Sequence, residues 1–235
     1  MVHKLNYSNC QVLQRPDAKS ELNAEQFDLD YWVDKPGYTL LGGGRRATVK
    51  ISLDGEDAIL RRYYRGGMVG KVLTDQYFWL GKSSSRPWRE WQVLERAWQA
   101  GLPVPKPIAA CVCRKRWWYH AAIVTGYLAD TETLANRLQS TEVSAEIWNQ
   151  LGQIIRDVQR EGIRHPDLTV TNILIDTRNR LYLIDFDNAR IKSSLGDWQW
   201  GPLNRLQRSF DKFNQTYRPG YSGDDWQALM DGYQS

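Results

Sequence analysis

Two short polar motifs in the second half of the chain restrict its possible folds more than any other part of the sequence. The first motif has the pattern H-x-D-L-x-x-x-N and contains Asp167 and Asn172. The second motif, D-F-D, begins at Asp185, 18 residues after Asp167. Apolar runs at 173–175 and 181–184 stand beside the two motifs and predict two short strands. Such strands would hold the two polar loops side by side.

These residue types and this spacing match the catalytic core of protein kinases. There, one Asp accepts the proton of the acceptor hydroxyl, while an Asn and a second Asp hold magnesium. Phosphoryl transfer needs a carboxylate beside the incoming hydroxyl and hard oxygen ligands for the metal on the triphosphate. Alternatively, the first motif is only a turn and Asp185 only a carboxylate at the end of a strand. Because both motifs occur in the expected order and spacing, we favour the catalytic interpretation, with Asp167 as base.

A glycine-rich segment in the first half fits a phosphate-binding loop. The sequence LGGGRRATV matches the pattern G-x-G-x-x-G-x-V at Gly42, Gly44 and Val49, with Gly43 between the first two and Ala47 at the third glycine. The backbone N–H groups of such a loop can approach phosphates closely. A run of glycines is alternatively only a flexible turn. Its position between two predicted strands, upstream of the catalytic motif, favours nucleotide binding.

In kinases a strand lysine that binds the phosphates, paired with a helix glutamate, follows the glycine loop. Arg61 occupies that strand here, whereas Lys50 lies too close to the glycines and belongs to the preceding strand. A guanidinium can also bind phosphate, through a planar fork of donors. Glu90, early in a predicted helix at 86–100, is the predicted partner of Arg61, and Glu95 is the second choice. Alternatively, Arg61 and its partner are solvated surface charges.

Length and composition exclude several classes of protein. With 235 residues, 42% of them hydrophobic and 25% charged, the chain can bury a core and is not intrinsically disordered. No apolar run approaches the roughly 18 residues that span a bilayer, and the start of the sequence lacks the apolar core of a signal peptide. The net charge of +4 and the absence of a recognised binding motif argue against nucleic acid as a partner.

The cysteines predict neither a disulfide framework nor a structural zinc site. Their number is odd, and Cys10, Cys111 and Cys113 do not show a four-ligand spacing. We therefore expect a reducing cytoplasm as the compartment.

The predicted elements divide the chain into two lobes of an α+β protein. Residues 1–36 form an N-terminal extension, mostly loop, with at most one short helix. Residues 37–126 form a small antiparallel β lobe with one helix, and residues 127–235 form a mainly helical lobe. The lobes contain predicted strands at 38–41, 48–53, 58–64, 108–113 and 117–125, and predicted helices at 86–100, 144–160, 202–214 and 224–233.

Taken together, these motifs resemble the lipopolysaccharide kinase family, bacterial phosphotransferases with a two-lobed, protein-kinase-like fold. The resemblance covers roughly residues 41–190 and implies transfer of the γ-phosphate of ATP to the 4-hydroxyl of the sugar acid Kdo on a lipid A precursor. It implies Asp167 as the catalytic base, Asn172 and Asp185 as Mg²⁺ ligands, and peripheral contact with the cytoplasmic face of the inner membrane. No obligate protein partner is inferred. The resemblance rests on the segments LGGGRRATVK, AILRRYYRGGMVGKVLTDQYFWLGKSSSRPWRE, AGLPVPKPIAA, HPDLTVTNILID and YLIDFDNAR.

Departures from ordinary protein kinases favour a small or lipid-linked acceptor. Pro166 replaces the usual Arg beside the catalytic Asp, Asp187 replaces the Gly of D-F-G, and no A-P-E motif follows. We place acceptor recognition at Arg62, Arg65 and Lys71, because Arg forks match carboxylates and phosphates. Alternatively, these cations only solvate a strand edge. The 11 tryptophans either pack in the core or help the protein lie on a membrane.

Two other functions remain open from the sequence. The same fold could phosphorylate another acceptor, namely a core heptose, an antibiotic or a protein. A catalytically inactive pseudokinase, acting as a membrane-associated scaffold, is an alternative from a different class. The intact set of Asp167, Asn172 and Asp185 argues against the scaffold, because a scaffold does not need all three.

Overall fold

A computed structural model of the chain describes residues 3–42, 48–63, 77–78, 85–217 and 221–235. The chain forms two compact units. The first comprises residues 1–92 and 106–127, and the second comprises residues 93–105 and 128–235. The second unit therefore includes a stretch, 93–105, that the sequence-based division assigns to the first lobe.

Strands dominate the first half of the chain and helices the second half, an α+β arrangement that confirms the predicted fold class. The strands are β1 (His3–Tyr7), β2 (Cys10–Gln14), β3 (Thr39–Gly42), β4 (Thr48–Leu53), β5 (Glu56–Arg62), β6 (Tyr77–Phe78), β7 (Pro107–Lys115), β8 (Trp118–Gly126), β9 (Thr131–Thr133), β10 (Ile163–Arg164), β11 (Ile173–Asp176), β12 (Leu181–Leu183) and β13 (Arg190–Ile191). The helices are α1 (Arg86–Gln99), α2 (Leu134–Ser140), α3 (Ala145–Arg160), α4 (Trp200–Thr216) and α5 (Gly223–Gln234). Among the described residues, no helix combines the length and apolar character needed to cross a membrane.

The first unit is built on one antiparallel sheet with the strand order β1-β2-β7-β8-β5-β4-β3, and β6 pairs with β8. The β4–β5 hairpin shows why the sequence folds this way. Side chains of β4 alternate between partly exposed and buried, and Asp54 and Gly55 take the positive φ values of 51° and 81° that a tight two-residue turn requires. The buried face of the sheet packs against Phe27 and Trp32 from the segment that follows β2.

The prediction that the first thirty-odd residues are mostly loop is wrong for their beginning. Strands β1 and β2 form an antiparallel hairpin, and β2 pairs with β7 over five residues, from Cys10 opposite Cys113 to Gln14 opposite Ala109. The sequence did not predict this hairpin, because β1 is short, mostly exposed and polar. In addition, β2 pairs with β7, a strand far along the chain. A short 3₁₀ helix at Ala24–Phe27 follows it.

The prediction about the cysteines is also wrong in one respect. Cys10 and Cys113 are register partners in β2 and β7, and their sulfur atoms form a disulfide. Cys111 is a buried free thiol, and burial raises its pKa to about 12. An odd number of cysteines therefore did not exclude a pairing between two of them, and the count alone is no argument for a reducing compartment.

The second unit is mainly helical, with two small antiparallel sheets. One sheet has the order β12-β11-β9, and the other pairs β10 with β13. The three longest helices coincide closely with predicted periodic segments. Helix α4 begins at Trp200, two residues before the predicted start at Pro202. Because Pro202 still falls in the first turn, its missing N–H removes no helical hydrogen bond.

Two glycines let helices α3 and α5 touch backbone to backbone. A Cβ atom added at Gly152 would lie 2.0 Å from the carbonyl oxygen of Leu229, and one added at Gly232 would lie 2.0 Å from that of Asn149. These separations are shorter than any van der Waals contact. A side chain at either position would therefore push the two helices apart.

We expect Gly152→Ala to destabilise the protein by about 3 kcal/mol, because overpacking a close helix contact costs on this order. Thermal unfolding followed by circular dichroism measures the loss. Gly223→Ala, in the first turn of α5, is the matched control, since a Cβ atom there would meet no heavy atom within 4 Å. Equal melting temperatures for the Gly152→Ala variant and the wild type would show that the helices do not pack this closely.

Candidate active site

The two polar motifs flank a β-hairpin in the second unit. Strands β11 and β12 pair from Ile173 opposite Leu183 to Ile175 opposite Leu181, as the apolar runs predict. Asp176 closes the turn between them, since its Oδ1 accepts hydrogen bonds from the backbone N–H groups of Arg178 (2.8 Å) and Arg180 (2.9 Å). Asn172 immediately precedes one strand, and Asp185 lies just beyond the other.

The backbone of Ile184 joins the two loops. Its N–H donates to the carbonyl oxygen of Asn172 at 3.0 Å. Its own carbonyl oxygen lies 2.9 Å from Nε2 of His165, two residues before Asp167. Since a carbonyl can only accept, Nε2 carries the proton. These two hydrogen bonds fix the loop that carries Asp185 against the loop that carries Asp167.

His165 is a buried, neutral part of this junction. The side chain is 2% exposed, and burial lowers its pKa, against opposing effects of the Ile184 carbonyl and of the carboxylates of Asp185 and Asp167. Its ring also packs on that of Phe186, with centroids 4.7 Å apart. The imidazole therefore serves as an uncharged hydrogen-bond donor that ties the motifs together.

Asp185 has a backbone conformation that is unusual for a residue with a side chain. Its φ is +64°, in the left-handed region, which Asp enters more readily than most residues but still at a cost. Residues held in this way are found disproportionately at functional sites. The neighbouring Ile184 is held by hydrogen bonds through both its N–H and its carbonyl oxygen.

Asn172 is oriented as a metal ligand would be. Its Nδ2 donates to the backbone carbonyl of Asp167 at 2.9 Å, so its Oδ1 is the atom left to accept or ligate. Together with the carboxylate of Asp185, this gives the hard oxygen donors that Mg²⁺ prefers. The donor set in the second unit therefore fits the metal site that the sequence predicts, while the metal-binding role itself stays a prediction.

Asp167 is half-exposed and contacts a cation that the sequence analysis did not single out. Nη2 of Arg205, on α4, lies 3.1 Å from Asp167 Oδ1. In the described part of the chain, Oδ2 of Asp167 makes no hydrogen bond. One carboxylate oxygen is thus held, and the other is available to accept a proton from a hydroxyl group.

In the first unit, Arg61 and Glu90 form the predicted ion pair. Nη2 of Arg61, on β5, contacts Oε1 of Glu90, on α1, and the hydroxyl of Tyr63 donates to Oε2 of the same carboxylate. Glu90 is 2% exposed, so both of its oxygens are satisfied inside the protein. Glu95, the second choice, instead accepts a hydrogen bond from Gln99 one turn further along α1.

Of the remaining predicted site residues, the structure describes only some. Gly42 ends β3, while Gly43 and Gly44 lie outside the described residues. Nη1 of Arg62 lies 3.4 Å from Oδ1 of Asp28. Arg65 and Lys71 also lie outside the described residues. The acceptor-binding and phosphate-binding roles of these residues stay predictions.

Lys50 lies on β4, as expected from its position in the sequence. Its Nζ forms an ion pair with Oδ2 of Asp57 at 2.9 Å.

Comparisons with known proteins identify the family of the chain. The model of the lipopolysaccharide kinase (Kdo/WaaP) family matches residues 32–233. Three relatives bear the name 3-deoxy-D-manno-octulosonic acid kinase. The protein of Vibrio vulnificus (strain YJ016) is 32% identical over 235 residues, which is 100% of this chain and 99% of the relative. That of Mannheimia succiniciproducens is 36% identical over 221 residues, 91% of this chain and 92% of the relative. That of Pasteurella multocida (strain Pm70) is 37% identical over 188 residues, 78% of each chain.

The chain belongs to the lipopolysaccharide kinase (Kdo/WaaP) family. It is therefore a phosphotransferase with an alcohol group as acceptor, which confirms the family resemblance and the enzyme class that the motifs predict. The family match extends beyond the motifs, because it includes α4 and α5 and starts near the end of the N-terminal extension.

Sequence reasoning on this lipopolysaccharide kinase missed Arg205. It lies 38 residues from Asp167, outside every recognised motif. The only local signal was the apolar periodicity of α4, which identifies the buried face but not the partner of a half-buried arginine beside it.

We expect Glu90→Gln to destabilise this kinase by about 3 kcal/mol, because removing one charge of a buried pair leaves the other uncompensated. If Arg61 also binds nucleotide, the KM for ATP rises. Thermal unfolding and initial rates at varied ATP measure the two effects. Glu95→Gln is the matched control on the same helix, with an expected change within about 0.5 kcal/mol. A Glu95→Gln variant as impaired as Glu90→Gln would contradict the assignment.

Proposed function

We propose that this protein is an ATP-dependent kinase that phosphorylates the 4-hydroxyl of 3-deoxy-D-manno-octulosonic acid (Kdo) on a Kdo-bearing lipid A precursor. The reaction class follows from family membership, and the choice of Kdo as acceptor is supported by the names of the relatives. The use of ATP with Mg²⁺ is supported by the donor set of Asn172 and Asp185, and the choice of the 4-hydroxyl by the family resemblance.

The observation that carries the proposal is the junction at Ile184. Its two backbone hydrogen bonds, to Asn172 at 3.0 Å and from His165 at 2.9 Å, hold the two motif loops together. A phosphotransferase needs a base and metal ligands in fixed relation, because catalysis of phosphoryl transfer is mostly positioning and electrostatic stabilisation.

In the proposed reaction, Asp167 Oδ2 accepts the proton of the sugar hydroxyl. The hydroxyl oxygen bonds to the γ-phosphorus of ATP, the bond from that phosphorus to the bridging oxygen breaks, and ADP leaves. Arg205 holds Oδ1 of the same carboxylate and so orients the base. Asn172 Oδ1 and the carboxylate of Asp185 would hold Mg²⁺, which supplies charge neutralisation on the phosphates when bound.

On the nucleotide side, the proposal assigns phosphate binding to Gly42, Gly43, Gly44 and Arg61. Glu90 then positions the guanidinium of Arg61, as the contact between them supports. Arg61 differs from the usual lysine in presenting five donors in a planar fork, a geometry that matches a phosphate. Arg62, Arg65 and Lys71 are proposed to contact the anionic acceptor.

The proposal includes peripheral contact with the cytoplasmic face of the inner membrane, where a lipid-linked acceptor would be presented. Its support is the tip of the β7–β8 hairpin, where Lys115 and Arg116 are exposed and Trp117 is 66% exposed. Cations together with an exposed indole favour the interface of a bilayer that contains anionic lipid. Co-sedimentation of the protein with vesicles containing anionic lipid tests this part.

Replacing Asp167 with Asn should lower the rate of transfer at least about 1,000-fold, because an amide cannot accept the hydroxyl proton. The assay uses ATP, Mg²⁺ and Kdo-bearing lipid A precursor, and mass spectrometry locates the phosphate on the sugar. The half-exposed position of Asp167 means that the variant should melt near the wild-type temperature. Asp157→Asn, on the solvent side of α3, is the control and should keep wild-type turnover.

Parallel reactions with a core heptose, an aminoglycoside and a model protein test the other acceptors. Wild-type transfer to one of these and not to Kdo would contradict the acceptor assignment but leave the phosphotransferase intact. Undiminished turnover in Asp167→Asn would reject the assignment of the base. No Mg²⁺-dependent turnover with any acceptor would favour the scaffold.

A further inference from the structure

Arg205 is the residue beside the proposed base whose role the motifs leave open. Its Nη2 contacts Asp167 Oδ1 at 3.1 Å, and the contact joins the side chain of the base to helix α4. The catalytic loop itself offers no cation between Asp167 and Asn172, because the intervening residues are Leu, Thr, Val and Thr. Positive charge next to the base therefore comes from α4.

The position of Arg205 is set by how α4 packs. Leu206 and Phe210 are fully buried, which fixes the rotation of the helix. Ser209, one turn after Arg205 on the same side of α4, accepts a hydrogen bond at Oγ from the backbone N–H of Val170 at 3.2 Å. The helix thus contacts the catalytic loop at two points, through Ser209 to the backbone and through Arg205 to the side chain of Asp167.

Most N–H groups of the Arg205 guanidinium make no hydrogen bond to the described part of the chain. Arginine carries five N–H groups, and in the described part of the chain one contact, that to Asp167, accounts for its hydrogen bonds and ion pairs. The side chain is 38% exposed. An anion arriving at the base can therefore bind the same guanidinium without displacing Asp167.

We propose that Arg205 binds the carboxylate of the acceptor sugar and is a specificity-determining residue for sugar acids. This inference rests on the proposed function. Kdo is an acid, so its carboxylate and the hydroxyl to be phosphorylated belong to one sugar residue and reach the site together. The planar fork of arginine matches a carboxylate in a way that a lysine ammonium does not. By contacting both the acceptor and Asp167, Arg205 aligns the hydroxyl with Oδ2 of the base.

The test compares two forms of the enzyme on two acceptors that differ only at the carboxylate. Wild type and Arg205→Gln are assayed on Kdo-bearing lipid A precursor and on the same lipid with the Kdo carboxylate converted to a carboxamide. With the carboxylate acceptor, kcat/KM should fall on the order of 100-fold in the variant, mainly through KM. With the carboxamide acceptor, the loss should be at least about 10-fold smaller, because only the part of the effect that acts through Asp167 remains.

Two further variants sharpen the result. Arg205→Lys keeps the charge but loses the fork, so the part of the loss that is specific to the carboxylate acceptor should be intermediate. Arg208→Gln, an exposed arginine of α4, is the matched control and should behave as wild type on both acceptors. Melting curves of all variants identify any loss that comes from unfolding.

An equal loss on both acceptors would overturn the proposal, because it would mean that Arg205 acts only on Asp167 or on the γ-phosphate of ATP and not on the carboxylate. A selective rise in the KM for ATP would identify the phosphate. Failure of the wild type on both Kdo acceptors would be a failure of the proposed function and is separate from these outcomes, which compare variants of an active enzyme.

Discussion

The backbone of Ile184 carries the interaction on which the site in the second unit depends. Through its N–H and its carbonyl oxygen, one residue joins the end of the catalytic loop at Asn172 to the start of that loop at His165. Burial keeps His165 neutral, so that it can donate to a carbonyl without bringing a charge into the core. Asp185, the next residue, has a left-handed backbone conformation.

This arrangement explains why short sequence motifs carry so much information about the family. The motif residues have two roles. Asp167, Asn172 and Asp185 provide oxygen atoms. His165 and the backbone of the loops position those atoms. A change of residue type at any of these positions affects geometry as well as chemistry. The family match covers residues 32–233, which include all of these positions.

The sequence predicted elements with a strong local signal and missed those that depend on distant partners. Helix α3 was found because its apolar residues recur on one face, and the β4–β5 hairpin because Asp54-Gly55 is a turn signal. The β1–β2 hairpin was missed, since its pairing with β7 involves residues about a hundred positions away. The Cys10–Cys113 disulfide depends on that same pairing. Arg205 was missed for the same reason, as its partner belongs to another element.

Asn172 and Asp185 are proposed to hold the metal of a nucleotide-bound phosphotransferase. The decisive experiment is a crystal structure with a non-hydrolysable ATP analogue and Mn²⁺, with the ion located by anomalous scattering. We expect one ion within about 2.3 Å of both Asn172 Oδ1 and a carboxylate oxygen of Asp185, as hard oxygen ligands require. An ion on the phosphates with both side chains turned away would contradict it.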